Sequence, residues 1–178
     1  MKKIILVCGL ISGIIVSVFM VSSIAVCYSS SDFEGNMLLG YAAMLLSFSL
    51  IFVGVKNFRD KYNGGFVSFG KAFQIGLLIT LIASTVYVIV WLIDYYLFVP
   101  EFMERYTAHV MRELQQEGAT AQELREKSVE MEGYREMYKS PLMVILFTYA
   151  EILPVGLIVS LLCALILKKK PSQPLPVI

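Results

Sequence analysis

Four long apolar runs alternate with polar stretches along the chain, at about residues 4–27, 37–55, 72–92 and 142–167. Each supplies the roughly 20 apolar residues that a helix needs to cross a ~30 Å hydrocarbon core. None alternates apolar and polar positions with period two. In lipid, only helices and closed barrels satisfy every backbone polar group. The pattern therefore predicts an all-α polytopic membrane protein, a bundle of four transmembrane helices. The first run exceeds the 7–15 apolar residues of a cleaved signal, and no small-residue site closes it, so it is read as a retained span.

The one sizeable polar segment, 100–140, carries a different period. Phe102, Met103, Tyr106, Val110 and Leu114 recur at helical spacing. Pro100 suits the first turn of that helix, and Gly118 suits its left-handed cap. Thr120 and Glu123 form the two ends of a capping box that starts a second helix. Leu124, Met131, Tyr134 and Tyr138 lie along one side of it, and Ser140-Pro141 stops it. The segment reads as an extracytoplasmic helical hairpin between spans three and four. Beyond the last span, the stretch PSQPLPVI at 171–178 reads as a Pro-rich flexible tail.

Charge orients this arrangement. The net charge is only +1, but the signs are segregated. Lys2, Lys3, Lys56, Arg59, Lys61, Lys71 and Lys168–Lys170 flank the spans on one side, against the single acid Asp60. The other side carries Asp32 and Glu34 in a short loop and then the acidic segment 94–140. The positive-inside rule places both termini in the cytoplasm, and four crossings require them to share a side.

Small residues one or two helical turns apart mark each span: Gly9, Gly13 and Ser17; Gly40, Ala43, Ser47 and Gly54; Ala72, Gly76, Thr80 and Ser84; Gly156, Ser160 and Ala164. Helices in lipid gain attraction from close backbone approach, so these stripes predict a tight bundle, with a homo-oligomer as another use.

The chemistry concentrates at one acid. Glu151 lies 17 residues before Lys168, about 25 Å along a helix, and so within the membrane. Such a carboxylate costs several kcal/mol unless it is protonated, paired or turned to the bundle interior. Ser84, Tyr41 and Tyr87 fall near its level. Pro154, three residues on, frees the carbonyl of Ala150 from its helical bond. Glu151, Pro154, Tyr41, Tyr87 and Ser84 form a candidate polar site, read either as a proton or cation site or as a hydrogen-bonded clamp. In the basic loop, Arg59, Asp60 and Lys71 form a second candidate, with Asn63-Gly64-Gly65 as a turn and Ser68 as a helix cap.

Cys8, Cys27 and Cys163 are odd in number and lack CxxC spacing, and His109 is the one histidine. No disulfide framework, metal site or cofactor is expected from them. There is no HExxH, nucleophile elbow or P-loop, so an enzyme is not expected. Nor is a nucleic-acid partner. The expected partners are the lipid bilayer and a protein or second copy through 100–140.

The tracts FVGVKNFRDKYNGGFVSFGKAFQIGLLITLIAS, EMYKSP and EILPVGLIVSLLCALILKKK resemble the bacterial membrane family catalogued as domain of unknown function 4199. The resemblance implies a four-span inner-membrane protein. It brings no reaction, ligand or catalytic residue. Two functions follow from the residues: a structural or interaction protein that presents the hairpin, and a small proton- or cation-coupled transporter centred on Glu151.

Overall fold

Backbone satisfaction without water leaves the apolar runs one solution, and the computed structural model shows it. The structure describes residues 1–29 and 37–170. The acids Asp32 and Glu34, and the tail 171–178, lie outside the described residues. Four helices are long and apolar enough to span a membrane. They are α1 (Lys2–Ser29), α2 (Met37–Asn57), α3 (Phe69–Leu97) and, last in the chain, α6 (Pro141–Leu167). Between α3 and α6 come α4 (Phe102–Gln116) and α5 (Ala121–Tyr138). No strand is present among the described residues; an isolated antiparallel bridge joins Val67 to Lys169.

The spans pack as a bundle in which α3 touches α1 and α6, α2 touches the same two helices, and α2 and α3 also meet each other. Small residues set these contacts. On α1, a Cβ added at Gly9 would sit 2.7 Å from Ile82 Cβ, and one at Gly13 would sit 2.7 Å from Val86 Cβ. The other face of α3 offers its own small stripe to α6: Gly76 lies against Ser160, and Thr80 lies against Gly156. Thr80 Oγ1 and Ser160 Oγ share a hydrogen bond of 3.1 Å. Ser12 on α1 donates to the carbonyl of Ser47 on α2 at 2.7 Å. Gly40 departs from this pattern, since among the described residues nothing lies within 4 Å of a Cβ built there.

α2 runs on through a π-helical turn, Phe58–Tyr62, that ends at the glycine pair. Ser68 then caps α3 by accepting from the Lys71 amide. At the opposite end, α3 extends past residue 92 and buries Asp94 and Tyr95 on the stripe that also holds Tyr87 and Trp91. Pro100 falls in the turn before α4 rather than in its first helical turn, because α4 begins only at Phe102 with Glu101 as its cap residue.

The hairpin turn is locally encoded. Gly118 takes φ 81°, a left-handed conformation that costs glycine nothing. The amide of Ala119 donates to the Leu114 carbonyl, and that of Gly118 donates to Gln115, which closes a Schellman motif. Thr120 and Glu123 then make both bonds of the capping box. Thr120→Ala is expected to raise amide exchange over residues 121–124 by about 2- to 30-fold, read by mass spectrometry. Backbone and side-chain bonds from Thr120 hold the Glu123 carboxyl below the usual carboxylate range. A lowered folded pKa stabilises above the unfolded value and is lost as pH falls through the folded one. Protection of these amides, corrected for intrinsic rates, is therefore expected to decline on acidification.

Candidate functional site

Four helices and the root of the hairpin converge on Glu151. On α6, Thr148 and Glu151 are one turn apart, and the Thr148 hydroxyl donates to the Val144 carbonyl at 2.7 Å. On α3, Tyr87 and Trp91 repeat at one turn and are each 7% exposed. Met20 and Ile24 repeat likewise on α1. Phe102 from the start of α4 and Tyr138 from the end of α5 complete the lining of a cavity of about 200 Å³. A neighbouring cavity of about 150 Å³ shares Met20, Ile24, Tyr87 and Glu151, and reaches Gly40 and Met44 on α2. Glu151 itself is exposed and lines both cavities.

Aromatic contacts tie the hairpin to this site. Trp91 meets Phe102 edge-on at 5.1 Å, Tyr95 meets Tyr138 at 5.6 Å, and Tyr138 stacks on Phe147 at 6.0 Å. The Arg105 guanidinium lies 4.5 Å from the centre of the Tyr28 ring, and Arg135 pairs with Glu104 across the hairpin at 2.6 Å. Burial pushes the Tyr138 phenol up to about 12, and the charge of Glu151 adds to the shift. Tyr138 is therefore a neutral phenol at any ordinary pH.

The structure brings together only part of the site read from sequence. Tyr87 lines both cavities with Glu151. Tyr41 lies at a similar level but is 44% exposed and lines neither cavity. Ser84 is fully buried, and its hydroxyl has no hydrogen-bond partner among the described residues. Pro154 is exposed, and α6 passes through it as one continuous helix. Neither Tyr41 nor Tyr87 donates a hydrogen bond to Glu151, so the clamp reading lacks its bond.

The second candidate divides in two. Arg59 Nε donates to Asp60 Oδ1 at 2.6 Å and Nη2 donates to Oδ2 at 3.2 Å, while Nη1 reaches the Leu167 carbonyl at 3.4 Å. This pair fastens the π-helical turn to the end of α6. Lys71 instead lines a cavity of about 760 Å³ with Phe66, Phe69 and Lys168–Lys170. Basic groups beside apolar rings suit an anionic headgroup.

Sequence reasoning missed three features. Trp91, Phe102 and Tyr138 were not linked to Glu151. Asp94 falls by sequence in the acidic segment 94–140, yet it is 7% exposed within α3, and its Oδ2 is buried without a hydrogen-bond partner among the described residues. Its spacing from Tyr87 and Trp91 carried the signal. By sequence Lys168–Lys170 are only charges flanking the last span, and the bridge from Val67 to Lys169 brings them to the loop. No group of three or more metal-ligating side chains gathers among the described residues.

A family model described as Protein of unknown function (DUF4199) matches residues 8–169. No curated protein and no solved structure matches the chain.

Proposed function

We propose a function for a chain that belongs to the DUF4199 family of proteins of unknown function: it is a small transporter that binds a cation at Glu151 in exchange for a proton. The observation that carries the reading is the carboxylate of Glu151, set among the described residues without a cationic partner and lining two cavities between helices. A bare charge there is costly, and a bound cation or a proton removes that cost. Either occupant excludes the other, which is the elementary condition for exchange. The hairpin serves as a roof, held by Trp91, Phe102 and Tyr138. On the charge pattern of the loops, the basic loop and both termini face the cytoplasm of a bacterial cell and the hairpin faces outward.

The interaction reading of residues 100–140 has less support. Met103 and Met131 are buried, and Val110, Leu114 and Leu124 are partly covered. Tyr106 and Val129 are the exposed large hydrophobics among the described residues of this segment, too few for a docking face.

The test uses the full chain in sealed vesicles with a pH-sensitive dye inside. An imposed cation gradient is expected to move protons with wild type. Glu151→Gln is expected to bring the rate down to that of protein-free vesicles, with melting unchanged. Full activity in a folded Glu151→Gln protein would overturn the proposal.

A further inference from the structure

The cavity beneath the hairpin has a lining that selects among cations. Of its eight lining residues, four are aromatic: Tyr87, Trp91, Phe102 and Tyr138. Trp91 and Phe102 stand nearly perpendicular, at 81°, as two walls of a corner. Aromatic rings attract cations through their quadrupole, most strongly when the cation is poorly hydrated, and clusters of them recognise quaternary ammonium groups. Glu151 supplies the one negative charge in the lining.

Oxygen is scarce there. The carboxylate of Glu151, two phenols and the Thr148 hydroxyl are the side-chain oxygens of the lining, and the Thr148 proton is already given to Val144. A hard inorganic cation seeks about six oxygen ligands, or keeps its waters. An alkylated ammonium needs no such shell, since its methyl groups are satisfied by Met20, Ile24 and the rings. Its charge is satisfied by Glu151. The volume, about 200 Å³, lies below the roughly 300 Å³ at which pockets for drug-sized ligands begin. The occupant is therefore small. The adjoining 150 Å³ cavity, which shares Glu151, gives it an approach from the side of α2.

We propose that this cavity binds a small alkylated ammonium ion, held by the Glu151 carboxylate within a cage of Tyr87, Trp91, Phe102 and Tyr138. The inference rests on the reading of Glu151 as a cation site and adds the chemical class of the cation.

The chain has a single tryptophan, and it lies in the cage, so its fluorescence reports occupancy. The full chain in detergent would be titrated with tetramethylammonium chloride and, separately, with sodium and potassium chloride at equal ionic strength. A saturable change is expected with tetramethylammonium and none with the inorganic ions. Tyr138→Leu or Phe102→Leu is expected to weaken binding by about 3- to 30-fold, while Tyr138→Phe keeps the ring and stays within about twofold of wild type. Glu151→Gln is expected to abolish saturation.

If sodium or potassium saturates the signal as well as tetramethylammonium does, the ammonium assignment fails and the cation reading of Glu151 stands. The same holds if tetramethylammonium gives no signal while Glu151-dependent flux persists in vesicles. If neither binding nor flux depends on Glu151, both fail. Because wild-type selectivity alone can reject the assignment, an unfolded variant does not rescue it.

Discussion

Gly156→Ala is expected to lower the melting temperature of the bundle, although alanine is the better helix former. The added Cβ would lie 2.3 Å from Thr80 Cγ2 and 2.9 Å from Phe48 Cζ, nearer than carbon atoms approach. Neither neighbour can yield easily. Phe48 and Thr80 are fully buried, and close-packed interiors leave such side chains little room to move aside. Thr80 is also joined to Ser160, whose hydroxyl bonds the Gly156 carbonyl at 2.7 Å. α3 and α6 must part to admit the methyl group. Overpacking of this kind costs about 1–3 kcal/mol and sometimes more, against a propensity gain of about 1 kcal/mol. A valine or leucine there is expected to prevent the two helices from meeting. Gly40→Ala is the internal control: with no atom of the described residues within 4 Å, it is expected to be neutral or to stabilise by up to about 1 kcal/mol. Thermal unfolding of the three proteins in one detergent checks both statements. A Gly156→Ala protein that melts at or above wild type would refute the close-packed α3–α6 contact.

Trp91→Ala is expected to have the second large effect, and to act on the hairpin as much as on the spans. Trp91 is 7% exposed. It meets Tyr95 at 5.6 Å and Phe102 at 5.1 Å, joining α3 to the first turn of α4. Truncating a buried tryptophan costs about 3–5 kcal/mol. The loss removes the wall shared by the hairpin root and the Glu151 cavity. Faster amide exchange throughout α4 and α5 is expected, together with a lower melting temperature. Trp91→Phe is expected to retain most of both, because an aromatic ring still meets Phe102. Val129→Ala, at a position 70% exposed, is expected to change stability by no more than about 0.5 kcal/mol. If Trp91→Ala leaves exchange in α4 and α5 untouched, the hairpin is not anchored through this residue.

Much of the architecture was legible because it is encoded locally. Hydrocarbon forbids unsatisfied backbone, so apolar runs of sufficient length become helices whatever surrounds them. Ser68, Gly118, Thr120 with Glu123, and Pro141 sit where caps and stops demand those residue types, and each acts there. The small stripes of α1, α3 and α6 pointed to close packing for the same reason. They did not say which stripe meets which neighbour. α1 offers its glycines to Ile82 and Val86 of α3, whereas the small residues of α3 turn to α6.

The candidate site shows where local encoding ends. Counting residues from the basic ends gives depth, because each helical residue advances about 1.5 Å. Depth alone put Tyr41 and Tyr87 on equal terms as neighbours of Glu151. Rotation about the helix axis separates them: packing turns Tyr87 into the cavities and leaves Tyr41 exposed. Trp91, Phe102 and Tyr138 come to the cavity that Glu151 lines from three different helices, and no spacing along the chain relates them.

By itself, then, the order of residues determined the four apolar helices, the capped hairpin between the last two, the segregation of charge along the chain and the presence of an acid within the last apolar run. Only the tertiary structure decided what that acid faces. Helical rise is a property of the backbone and the same everywhere, but the azimuth of each helix is chosen by close contacts between residues far apart in sequence, such as Gly156 with Thr80 and Trp91 with Phe102.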